Sequence, residues 1–166
     1  IALIIVCALV LLSPVVVATV DGLSGWTVQT SGTASYNVFL TFDDGPSAIT
    51  ESVLDVLERE QVFATFFVIG AETEQGISLY GRILDEGHSL GLHTYSHNVR
   101  KIYASLDGFK RDFNRLEQWI SDQTGITPKV CRMAGGSNSA YCPAYLREQI
   151  LTYLVEQGYS CFDWDI

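Results

Sequence analysis

Two kinds of hydrophobic pattern take strict turns along this chain, and that alternation limits the fold more than any other feature. Strand-length segments built around apolar residues occur at 38–42 (VFLTF), 62–70 (VFATFFVIG), 88–94 (HSLGLHT), 129–132 (KVCR) and 159–166 (YSCFDWDI). Between them the apolar residues fall at helical spacing. Ile49, Val53, Leu54 and Leu57 mark one helix over 49–61, and a second runs over 77–86 until Gly87 stops it. Leu106, Phe109, Phe113, Leu116, Trp119 and Ile120 line one face of a long helix that ends near Gly125, and a fourth begins at Pro143 and runs to Gly158. The pattern β-α-β-α-β-α-β-α-β predicts an α/β fold with a parallel sheet and crossover helices, either an open wound sheet or a (β/α) barrel.

In both architectures the chemistry gathers at the carboxyl ends of the strands. The first strand ends in two adjacent carboxylates, Asp43 and Asp44, followed by Gly45 and Pro46. Like charges so close repel, more so in a low dielectric, and call for a positive partner: a side chain, a metal ion, or both. His93 and His97 follow the third strand in HTYSH, where a helical turn would bring both imidazoles to one point. Taken alone they read as two surface histidines. With the carboxylate pair at a neighbouring strand end, a metal site becomes the stronger reading, with Asp44 as third ligand and Zn²⁺ as the ion that two imidazoles and a carboxylate suit. Asp43, beside that site, is placed to act as a general base. Arg132 ends the fourth strand and would offset the second negative charge. His88 precedes its strand, so it belongs to the opposite rim and reads as structural. Trp164 fits a sugar-facing wall or the core equally well.

The first twenty residues, IALIIVCALVLLSPVVVATV, carry no charge. They suit an apolar helix that is either a membrane anchor or a secretory leader cleaved near Val16-Val17-Ala18. Either way the remainder is expected outside the cytoplasm. Residues 21–36, rich in Gly, Ser and Thr, read as a linker, and 37–166 as one domain, expected to be a monomer. A net charge of −9 with three lysines argues against nucleic acid as a partner. Cys131, Cys142 and Cys161 allow one disulfide, whose pairing spacing cannot assign.

TFDDGP (41–46), HTYSH (93–97) and the R-x-x-G-G-S loop that starts at Arg132 occur in the order and spacing of the polysaccharide deacetylases, the NodB-homology domains of carbohydrate esterase family four. The chain resembles that family from Val38 onward. The resemblance implies a distorted (β/α) barrel and metal-dependent removal of acetyl groups from a polysaccharide. Peptidoglycan N-acetylglucosamine is the expected substrate, and chitin oligomers and acetylated xylan are the other candidates. It assigns Asp44, His93 and His97 to one divalent metal, Asp43 to the base, Arg132 to holding Asp43, and the backbone N–H of Gly135 to the oxyanion. The sequence departs from the family in three places. Ala134 and Gly135 stand where proline and an aromatic are usual. FDWDI only approaches the family's fourth motif. The closing Leu-x-His, which supplies the general acid, does not occur. The chain is therefore expected to be an incomplete barrel, a fragment cut at both ends and inactive alone. The altered loop and missing histidine also suit a non-catalytic glycan-binding or wall-associated module on the same fold. A metal phosphoesterase would need more ligands and a second ion.

Overall fold

The computed structural model describes residues 26–29 and 35–164. The apolar segment 1–20 lies outside the described residues, and among the described ones no helix is long and apolar enough to cross a membrane. Part of the span read as a linker is a hairpin: β1 (Trp26–Gln29) pairs antiparallel with β2 (Ser35–Val38). Its strands carry Trp, Thr, Val and Tyr, residues that favour a pleated surface, and the Gly/Ser/Thr-rich composition of the span hides them.

The apolar run 38–42, read as one strand, is shared between two. Val38 closes the hairpin, and β3 (Thr41–Gly45) runs on through both carboxylates. After it come α1 (Thr50–Glu60), β4 (Thr65–Ile69), α2 (Glu74–Asp85), β5 (Ser89–Thr94), the short α3 (Val99–Ile102), α4 (Leu106–Thr124), β6 (Val130–Cys131), α5 (Ala144–Glu156) and β7 (Ser160–Cys161). Only α3 lacks a counterpart in the periodicity, being a single turn capped by Asn98 Oδ1, which accepts the Lys101 N–H at 3.2 Å. Helix α4 starts where Ser105 Oγ accepts the Gly108 N–H at 3.0 Å and ends on Gly125.

β3-β4-β5-β6-β7 form one parallel sheet in sequence order. Each crossover therefore steps the same way, and the order never reverses as it does in a doubly wound sheet. Phe66, Val68, Leu90 and Leu92 meet Leu54, Leu79, Ile83, Phe109 and Phe113 in one apolar core. Burying each such side chain contributes about 1.5–3 kcal/mol. Phe67, between Phe66 and Val68, points to the other face, where its ring meets the Arg132 guanidinium at 4.2 Å.

Cys131, Cys142 and Cys161 are free thiols, so no disulfide joins Cys131 to Cys142. Cys131 stands opposite Cys161 across the β6–β7 ladder.

His88 lies at the amino end of β5, on the rim the sequence predicts, and is buried. Its Nδ1 accepts the Ala64 N–H at 3.3 Å. Burial pushes its pKa below the ordinary value, with Glu86 pulling the other way. The unfolded chain therefore takes up a proton at His88 before the folded one does. Stability is full above the unfolded histidine value of about 6.5 and is lost as pH falls toward the folded value. Urea midpoints measured from pH 7 to pH 5 should fall, and His88→Gln should flatten that decline. An unchanged slope in the variant would remove His88 as its source.

Candidate active site

Both carboxylates belong to a strand that is not regular. Asp43 pairs with Phe67 and Gly45 with Val68, which leaves Asp44 as an extra residue in the β3–β4 ladder. The other side of β4 repeats the device. Val68 pairs with Leu92 and Ile69 with Thr94, so His93 is the extra residue of β5. A bulge re-aims the side chain it inserts. Here two bulges flank one strand and bring Asp44 and His93 together.

Asp44 Oδ1 lies 3.4 Å from His93 Nε2 and 3.1 Å from His97 Nε2, and one ligand atom from each of the three falls within 4.8 Å of the others. HTYSH does not form the helical turn that its spacing suggests. His93 sits in the strand, and His97 follows a bend with φ 48°, so a left-handed residue returns its ring to a distance of 5.2 Å from the His93 ring. Asp44 is also left-handed, with φ 68°. The donor set fits a divalent ion. The Nδ1 of His93 lies 2.6 Å from the Arg132 carbonyl, which takes its N–H and turns Nε2 toward Asp44, where the nitrogen ligates an ion through its lone pair or, when it carries a proton, donates to the carboxylate. Hydrogen bonding with His93 holds the Asp44 carboxyl below its ordinary range. Burial opposes this, and the charges of His97 and His93 add to it.

Asp43 has a different partner. Arg132 is buried and donates to Asp43 Oδ1 at 2.7 Å, Thr41 Oγ1 at 2.9 Å, the Phe162 carbonyl at 3.1 Å and the Asp163 carbonyl at 3.2 Å. The two adjacent charges are thus divided, one toward the imidazoles and one toward the guanidinium. A model of the family described as polysaccharide deacetylase matches residues 31–154.

This chain is a member of the polysaccharide deacetylase family.

Its relatives agree. It is 34% identical over 128 residues to a peptidoglycan-N-acetylglucosamine deacetylase of Bacillus cereus, covering 77% of this chain and 45% of that protein. It is 49% identical over 72 residues to a chitooligosaccharide deacetylase of Sinorhizobium fredii, covering 43% and 34%. Among solved structures, the catalytic domain of a peptidoglycan N-acetylglucosamine deacetylase from Eubacterium rectale superposes with a TM-score of 0.71 at 32% identity, covering 77% of this chain and 59% of that one. The chain spans about half the length of the curated relatives it matches.

Within this deacetylase-family domain, Gly135 lies in a turn closed by the Gly136 N–H donating to the Met133 carbonyl at 2.8 Å. Gly135 and Gly136 have φ 74° and 78°, and a Cβ on Gly136 would come within 3.2 Å of the Trp164 ring. Both therefore favour glycine. Trp164 is half-exposed, so it is not core.

The sequence reading missed two contributors. Thr41 reaches Arg132 because it lies two residues before Asp43, on the same face of β3, an alternation the motif itself displays. Asp163 lies in FDWDI, to which the sequence assigns no role. Its carboxylate accepts from the Ser137 N–H at 2.9 Å and from the Ser137 hydroxyl, and so ties the end of β7 to the glycine loop.

Proposed function

We propose that this protein is a metal-dependent hydrolase that removes acetyl groups from an N-acetylated cell-surface polysaccharide, with peptidoglycan N-acetylglucosamine as substrate. The observation that carries the reading is the divided carboxylate pair: Asp44 among two imidazoles, and Asp43 beside it on a buried arginine. Asp44, His93 and His97 would hold one divalent ion, and their donor set suits Zn²⁺. When bound, the ion supplies Lewis acidity at the acetyl carbonyl and makes water more acidic. Asp43 acts as the general base. Arg132 occupies its Oδ1, which leaves Oδ2 to take the proton from the attacking water. Arg132 itself fixes the rotamer of Asp43. The Gly135 N–H donates to the oxyanion that forms at the acetyl carbon.

The sequential strand order suits an arc of a distorted (β/α) barrel. In this reading 37–166 is the deacetylase domain, residues 1–20 export or anchor it, and it works as a monomer at the outer face of the membrane or in the wall.

A second reading rests on one observation. The loop after Arg132 carries Ala134 and Gly135 where proline and an aromatic are usual in the family. The altered loop favours a glycan-binding module of the same fold.

Acetate release separates the two. The full-length protein that carries this domain, loaded with Zn²⁺ and given N-acetylglucosamine oligomers or peptidoglycan, should release acetate. Chelation should abolish the release, and added Zn²⁺ should restore it. Retention on insoluble glycan without acetate from any of these substrates would assign the binding module instead.

A further inference from the structure

Two successive backbone N–H groups between the two histidines turn the same way, toward helix α4. Asp112 Oδ1 accepts the Tyr95 N–H at 2.7 Å, and both its oxygens accept the Ser96 N–H at 3.2 Å. The side chain of Tyr95 is clamped as well. Its ring lies against Gly70, where an added Cβ would come within 2.7 Å, and beneath the Arg115 guanidinium at 3.6 Å. Its hydroxyl donates to Glu72 Oε1 at 2.8 Å.

The two imidazoles are not held alike. His93 is fixed by the β5 ladder and by the Arg132 carbonyl. Among the described residues the ion pair and the ring contact of His97 are with Asp44 and His93, and its backbone is left-handed. What brings His97 to the ligand point is therefore the path of the chain through Tyr95 and Ser96. The group that sets this path is a carboxylate on a helix packed against the sheet.

We propose that Asp112 is a positioning residue for the metal: by gathering the Tyr95 and Ser96 N–H groups it aims His97 at the ion. This rests on reading Asp44, His93 and His97 as the metal site. Removing Asp112 leaves both N–H groups without their acceptor and frees the peptide between them to rotate, which displaces His97 and spares His93.

Zn²⁺ affinity, measured by competition with a chromophoric chelator, tests this without reference to turnover. Asp112→Ala should weaken binding by roughly 10–100-fold, the range seen when an outer partner of a metal ligand is lost. Far-UV circular dichroism should stay unchanged. Asp112→Asn, which keeps the shape and one acceptor, should fall between, and it carries the comparison if the alanine variant does not fold. Asp122→Asn, on the same helix, should bind as the unmodified protein does. The decisive measurement is a cycle with His97→Ala. If Asp112 acts through His97, Asp112→Ala should add no further loss in that background. Full affinity in Asp112→Ala, or an undiminished loss in the double variant, would overturn the positioning role. Failure of the unmodified protein to bind Zn²⁺ would remove the metal reading itself, and this role with it.

Discussion

Asp43→Asn should reduce acetate release by roughly 10²–10⁴-fold, the usual contribution of a positioned base, while the purified protein keeps its Zn²⁺. Asp44→Asn should lose the ion first, and activity only because of it. The two residues are neighbours of the same chemical type, so composition and local sequence cannot separate them. Geometry does. Asp44 is the inserted residue of a bulge and stands 3.1 Å from His97, whereas Asp43 stays in the ladder and is held at 2.7 Å by Arg132. Asparagine at 43 keeps an oxygen for the arginine but has no proton-accepting carboxylate. Asparagine at 44 gives the ion a neutral ligand in place of a charged one. Metal analysis beside acetate assay reads both. Equal loss of Zn²⁺ in the two variants would merge roles that the contacts separate.

Arg132→Ala should be the most damaging single change to the fold. Removing one partner of a buried ion pair costs about 3–5 kcal/mol, a large share of an ordinary domain's stability. The guanidinium also satisfies Thr41 and two main-chain carbonyls, and it stacks on Phe67. The carbonyl of residue 132 remains, so the hydrogen bond that orients His93 should survive, and Zn²⁺ binding with it. The expected result is a lower urea midpoint and slow turnover with the ion retained. Arg132→Lys should recover little of either, because an ammonium cannot span four acceptors in different directions. A midpoint equal to that of the unmodified protein would show that the buried network adds no stability.

The alternation of strand and helix was legible because each element buries a face at its own period. α4 shows this best: of its predicted stripe, Phe109, Phe113, Leu116 and Ile120 are buried, and Leu106 and Trp119 are half-buried against the same core. The division of Asp43 from Asp44, and the meeting of Asp44 with two histidines, followed from placing motifs at one rim. The bulges did not follow. An extra residue in a ladder leaves no mark on a pattern of apolar and polar letters, so HTYSH invited a helical turn that the backbone does not make. Asp112 was illegible for another reason. It acts through main-chain N–H groups, which every residue carries, and nothing in the spacing of α4 singles it out. The β1–β2 hairpin was masked by its composition, since glycine and serine around a few strand-forming residues look like a spacer.

Each of the two bulges holds a residue that the hydrogen-bonded ladder can do without. Deleting Asp44 or His93, instead of replacing it, would let β3 or β5 pair with β4 in unbroken register. Either shortened protein would have a smoother sheet; the loss of Asp44 would also remove a left-handed aspartate, and each deletion would take one of the three ligands. Such a protein would be built for durability and blank where the chemistry belongs. Single-residue deletions at these two positions are therefore an economical way to make an inert scaffold of this shape, and at both of them durability and use pull in opposite directions.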